Sequence, residues 1–169
     1  MKRKPLTITL DTNTLPLEQA LQALGRIPAN VVITTVTARE VEGTKWGPEL
    51  SVLSVIPEVW VLGESPLGVG ALGSRADSDL FERTIAAIAS GSFPRPGSRG
   101  TLTASQTRQM RDAMIFCTHV RERRDIFVTN DVKAFGEEGS PQRQRVNELA
   151  PTRVMTLAEF ERFCQRGGL

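Results

Sequence analysis

Twice within its first 45 residues the chain passes from a strand-like run to a helix-like run, and this alternation restricts the fold more than any other feature. Leu6-Thr7-Ile8-Thr9-Leu10 alternates leucine with β-branched residues and stops at Asp11, the pattern of a short strand. Leu17, Ala20, Leu21 and Leu24 then recur at helical spacing, with Pro16 suited to the first turn and Gly25 to the stop. Val31 to Thr35 is a continuous β-branched run and reads as a buried strand. Thr37 is placed to cap a following helix that holds Arg39, Glu40, Val41 and Glu42, with Glu40 at the reciprocal capping position. Two strand–helix units in succession predict an α/β domain with a parallel sheet, because parallel neighbours need a crossover and a helix supplies it.

The later elements fit the same plan. Val59-Trp60-Val61-Leu62 is the expected third strand, and Asp77 to Ser90 has helical spacing at Leu80, Phe81, Ile85, Ile88 and Ala89. Thr107 to Arg123 predicts a long helix with Met110, Ala113, Met114, Cys117 and Val120 inward. Ile126 to Thr129 reads as a buried strand ending at Asn130-Asp131. Pro141 to Leu149, Arg153 to Met155 and Leu157 to Cys164 complete the pattern as helix, strand and helix. Glycine-rich stretches, Gly63 to Arg75 and Gly91 to Ser105, separate the middle elements. With no repeat and no linker, residues 1–169 are expected to form a single domain around a mostly parallel sheet of about five strands.

Composition removes several chemistries. No run approaches the ~20 apolar residues of a membrane span. Met1-Lys2-Arg3-Lys4-Pro5 lacks the apolar core of a signal peptide. Cys117 and Cys164 are too few for a disulfide framework or a thiolate zinc site, so a cytoplasmic setting is expected. One histidine, His119, rules out a multi-histidine metal site, and there is no GxSxG motif for a serine nucleophile. Carboxylates are left as the agents of any reaction. The charge is uneven: Arg95 to Arg124 contains seven arginines against Asp112 and Glu122, while the whole chain carries +2. Arginine suits phosphate through its planar fork, which makes Arg95, Arg99, Arg108 and Arg111 candidates for nucleic-acid contact. A solvated helix face with a polar loop is the simpler alternative.

Asp11 follows the first strand, Glu40 lies on the helix after the second, and Asp131 follows the Ile126 strand. In an open parallel sheet these positions share the carboxyl edge, where ligands collect. Asp112 joins them if its helix begins over that edge. Read singly, each acid has a plainer role as a turn, cap or surface residue. Read together, four carboxylates repel one another and raise each other's pKa unless a cation intervenes. Oxygen-only ligation favours Mg²⁺ or Mn²⁺, and such an ion supports phosphodiester hydrolysis.

The chain resembles the PIN-domain family of metal-dependent nucleases. The resemblance rests on Ile8-Thr9-Leu10-Asp11-Thr12-Asn13, on Ile33 to Val41 with Glu40, and on Asp112-Ala113-Met114-Ile115. Phe127-Val128-Thr129-Asn130-Asp131 and Thr156-Leu157-Ala158-Glu159-Phe160 continue it in the family's order. It implies a three-layer PIN-like domain with helices on both sides of the sheet. It also implies Asp11, Glu40, Asp112 and Asp131 as catalytic metal ligands for Mg²⁺ or Mn²⁺, oriented by Asn13, Thr129 and Asn130. The implied substrate is single-stranded RNA or, in some branches, structured DNA. A catalytically silent nucleic-acid-binding or regulatory module is the third alternative. Glu42 stands as the substitute for Glu40, since residues two apart on a helix face different sides. Residues 43–105 are longer than in the compact toxin members, and no segment identifies an antitoxin contact or a homodimer interface.

Three features are weaker signals. Gly68 to Gly73 fits GxGxxG, but it neither directly follows a strand nor opens a helix, as a dinucleotide site requires. His119 reads as a polar residue on a helix flank. Trp46 and Trp60 are the candidate base-stacking residues, although Trp60 in a strand is better read as core.

Overall fold

The structure, a computed structural model, describes residues 4–59, 61, 65, 70–89 and 93–167. Its centre is a five-stranded sheet in which every pairing is parallel. The strands are β1 (Leu6–Leu10), β2 (Ala29–Thr34), β3 (Ser54–Ile56), β4 (Ile126–Val128) and β5 (Arg153–Met155), in the order β3-β2-β1-β4-β5. The chain builds outward from β1 to β3, then crosses back to place β4 and β5 on the other side. The order therefore reverses between β1 and β4, and a crevice opens there at the carboxyl edge.

Side chains alternate across a strand, so one sheet serves two cores. Ile8, Leu10, Ile126 and Val128 face one core, closed by α1 (Leu17–Leu24) and α8 (Leu157–Gln165) through Leu17, Ala20, Leu24, Phe160 and Cys164. Phe127 and Val154 face the other, closed by α4 (Arg75–Ile88), α5 (Ala104–Arg121), α6 (Val132–Phe135) and α7 (Pro141–Asn147). Two shorter helices, α2 (Thr35–Val41) and α3 (Gly47–Leu50), connect β2 to β3. The expected α/β class with a parallel sheet of five strands is thus the one observed.

Several boundaries differ from the sequence reading, each for a local reason. Thr34, not Thr37, caps α2: the Thr34 hydroxyl accepts the Thr37 amide at 3.2 Å. Glu40 therefore sits in the second turn. Helix α4 begins at Arg75 because Ser74 and Asp77 form a reciprocal capping box, and Thr103 with Gln106 does the same for α5. The third strand is Ser54–Ile56 rather than Val59 to Leu62. It is an edge strand with Ser54 and Val55 exposed, so it carries no buried apolar alternation, and Pro57 follows it. Val59 makes a single bridge with Ala71; Trp60 and Leu62 lie outside the described residues.

His119 is not on a helix flank. It is fully buried, with Nδ1 2.9 Å from the Thr9 hydroxyl and Nε2 2.6 Å from the Thr152 hydroxyl, against Phe116 and Phe127. Burial drives its pKa down to about 3, so it is a neutral core residue linking β1 to the segment before β5. Cys117 and Cys164 are buried core residues, and burial pushes the Cys117 thiol up to about 12.

Candidate active site

The sheet order brings Asp11 and Asp131 to the two sides of the β1–β4 crevice. Asp11 leaves β1 with its amide bonded to the Val128 carbonyl at 3.0 Å, which fixes it against β4. Its carboxylate is 3 % exposed and held on both oxygens. Oδ1 accepts the Thr12 amide at 2.7 Å; Oδ2 accepts Asn13 Nδ2 at 2.8 Å and the Thr129 hydroxyl at 2.7 Å. Asn13 Oδ1 accepts the Asn130 amide at 2.6 Å, and Asn130 Nδ2 donates to the Asn13 carbonyl at 3.1 Å. Asn130 Oδ1 accepts the Leu157 amide at 3.0 Å and so ties this loop to the start of α8. Asn13, Thr129 and Asn130 thus form one network around Asp11.

Asp131 caps α6, its Oδ1 accepting the amides of Lys133 at 3.0 Å and Ala134 at 2.9 Å. Glu40 accepts the Thr12 hydroxyl, which turns its carboxylate toward the Asp11 segment. Glu42 is exposed at the end of α2. Asp112 is only 9 % exposed on α5. The helix brings Asp112 within electrostatic reach of Asp11, Asp131 and Glu40.

Burial pushes the Asp11 pKa up to about 6, with the charges of Glu40 and Asp131 adding to the rise and hydrogen bonds from Thr129 and Thr12 opposing it. Burial pushes Asp112 up to about 8, reinforced by Asp11, Asp131 and Glu40 and opposed by Arg108. Among the described residues none of these four acids has a salt-bridge partner. Nor do any three His, Cys, Asp or Glu side chains stand close enough to hold an ion as placed. The donor chemistry nevertheless fits a hard cation: four carboxylates, no nitrogen or sulfur, and like charges raising the protonation of two of them.

A carboxyl with a higher pKa in the folded chain than in the unfolded one favours folding at low pH, and that advantage is lost as pH rises through the folded value. Metal-free protein should therefore lose stability between about pH 4 and pH 8 as Asp11 and then Asp112 ionise. Asp112→Asn should stabilise it at neutral pH by on the order of 1–3 kcal/mol. Thermal melts in chelator across that range check both; a flat profile, or a variant that melts earlier, would contradict the coupling.

The arginines divide. Arg108 is exposed one turn before Asp112, and its charge opposes the rise in that acid's pKa. Arg95 is exposed on the loop before α5, and Arg111 is half-buried on the helix. Arg99 is engaged elsewhere: its guanidinium makes two 2.7 Å bonds to Glu82, Nε donates to the Pro94 carbonyl, and Phe81 and Phe93 flank it. It clamps the loop before α5 to α4.

Two features escaped the sequence reading. Thr12 was part of the Asp11 motif, yet nothing in the spacing paired it with Glu40, 28 residues on. Glu58 is completely buried at the end of β3, where its Oε2 accepts the Thr35 hydroxyl at 2.6 Å and Arg39 Nη1 at 2.5 Å. Arg39 is thereby held against β3 while Glu40 turns to Thr12. Of the Gly68 to Gly73 motif, Gly68 and Val69 lie outside the described residues; Gly70 to Gly73 precede α4 without opening it.

Comparison with protein-family models, with curated proteins and with solved structures finds no match for this chain. Among the described residues no helix is long and apolar enough to cross a membrane.

Proposed function

We propose that this chain is a PIN-like, Mg²⁺- or Mn²⁺-dependent nuclease that hydrolyses phosphodiester bonds in single-stranded RNA. One observation carries the reading: acids from β1, α2, α5 and the end of β4 lie within electrostatic reach at the strand-order reversal, where burial and the neighbouring carboxylates raise the pKa of Asp11 and Asp112 and no acid of the four has a salt-bridge partner among the described residues. Asp11, Glu40, Asp112 and Asp131 would hold the ion. When bound, a divalent cation supplies Lewis acidity toward a phosphodiester oxygen and toward water.

The protein's own part is positioning. Asn13 and Thr129 fix Asp11, the kind of outer support that ligand carboxylates need. Thr12 fixes Glu40, and the α6 amides hold one oxygen of Asp131. Burial and the neighbouring acids favour the protonated form of Asp112, so a bound cation would displace that proton and would bind more tightly as pH rises. Arg108 supplies positive charge beside these acids for the substrate phosphate.

Calorimetric titration with Mn²⁺, repeated in two buffers of different ionisation enthalpy, tests this. The expected result is saturable binding with proton release, weakened roughly tenfold or more in Asp131→Asn. Absence of saturable binding, or binding that Asp131→Asn leaves unchanged, would refute the site.

A further inference from the structure

A trench runs from the acid-bearing edge between α1 and α8 to the opposite edge of the sheet. Its upper part, about 750 Å³, begins at Asn130, whose amide is bonded to Asn13 beside Asp11. Its lower part, about 620 Å³, shares Ala23 and Gln165 with the upper and ends at Lys4 and Arg26. Since α1 has eight residues, the trench extends over about 12 Å of helix.

The chemistry changes along its length. The upper walls carry the amides of Gln19, Gln22 and Gln165 and the carboxylate of Glu161, with no lysine or arginine among the described residues. The Glu161 carboxylate repels a phosphate, while the amides suit the donor and acceptor edge of an uncharged base. Gln22 donates to Glu18 at 2.8 Å, while the side chains of Gln19 and Gln165 are exposed and make no hydrogen bond among the described residues. Between these walls Ala23, Leu157 and Ala158 give the trench an apolar surface against which a base can lie. Among the described residues positive charge returns at the far end, where Lys4 and Arg26 are both exposed.

We propose that this trench is a track for the single-stranded nucleic acid leaving the cut site, with a base held by Gln19 and Gln165 and a following phosphate by Lys4 and Arg26. The inference rests on the nuclease reading for what occupies the acid edge. A single strand is favoured over a duplex because only unpaired bases offer their faces and Watson–Crick edges to side chains, and a duplex would set phosphates against Glu161.

The test is fluorescence anisotropy of a labelled single-stranded RNA, and of DNA of the same sequence, in EDTA at several salt concentrations. Lys4→Ala with Arg26→Ala should flatten the salt dependence by a slope of about 0.7, the contribution of one neutralised phosphate. Gln19→Ala with Gln165→Ala should weaken binding about tenfold with the slope unchanged. A duplex of the same sequence should compete poorly. No binding by the wild type, variants that bind as the wild type does, or a duplex that competes equally would overturn the track. Cleavage assays separate the two readings. Metal-dependent cutting with unaltered variant binding removes the track and leaves the nuclease. Variant-sensitive binding without cutting under any divalent cation does the reverse.

Discussion

Asp11→Asn should lower Mn²⁺-supported cleavage of single strands by roughly 10²-fold or more, with the fold intact. Asparagine keeps the size and one acceptor oxygen, which can still take the Thr12 amide, while its NH2 replaces Oδ2 and can donate to the Thr129 hydroxyl. What it removes is a negative charge that burial already disfavours at neutral pH. The same substitution should therefore raise the melting temperature in chelator, because it relieves the pressure on Asp112. Loss of activity with a gain in metal-free stability separates a ligand from a structural acid. A variant that cleaves normally would remove Asp11 from the site, and one that unfolds would make its role structural.

Arg143→Ala should have the largest effect on stability, about 3–5 kcal/mol. The side chain is buried against β5 and α8 and uses every nitrogen. Nη1 donates to the Val154 carbonyl at 2.6 Å and to Glu159 at 2.9 Å, Nη2 to Gly136 at 2.7 Å, and Nε to Phe135 at 3.0 Å. Removing the guanidinium leaves three carbonyls and a carboxylate without this donor, which is costlier than losing the bonds themselves. The Val154 bond also closes the outer edge of β5 against strand addition. Gly136 permits the approach: its φ is +77°, and a Cβ there would stand 2.5 Å from the Arg143 amide. Arg143→Lys should recover only part of the loss, since an ammonium cannot reproduce the fork. Urea denaturation measures both; an Arg143→Ala midpoint equal to the wild type's would contradict this assignment.

The acids were readable because a strand that stops at a polar residue marks its own carboxyl end, and the strand–helix alternation puts those ends on one edge. Asp11 and Asp131 needed nothing more. Glu40 needed its helix register, and the cap lies at Thr34 rather than Thr37. Two threonines three residues apart can each start a helix, and only the Thr37 amide meeting the Thr34 hydroxyl decides between them. Elsewhere local pattern misled. Every residue of α5 from Asp112 to His119 is buried, so polarity along it does not report exposure, and His119 looked like a flank residue. The edge strand β3 is half-exposed, and the more apolar Val59 segment drew the assignment away from it. Arg99 and Glu82 lie 17 residues apart on separate elements, and no sequence spacing connects them.

The central claim is tested most directly by incubating wild-type protein with matched single-stranded RNA and DNA oligonucleotides, in Mn²⁺, in Mg²⁺ and in EDTA. The account predicts cutting in either cation, none in EDTA, and faster cutting of RNA. Cutting that persists in EDTA would contradict the carboxylate–cation site. Intact RNA and DNA in both cations, with a folded protein, would contradict the nuclease reading itself.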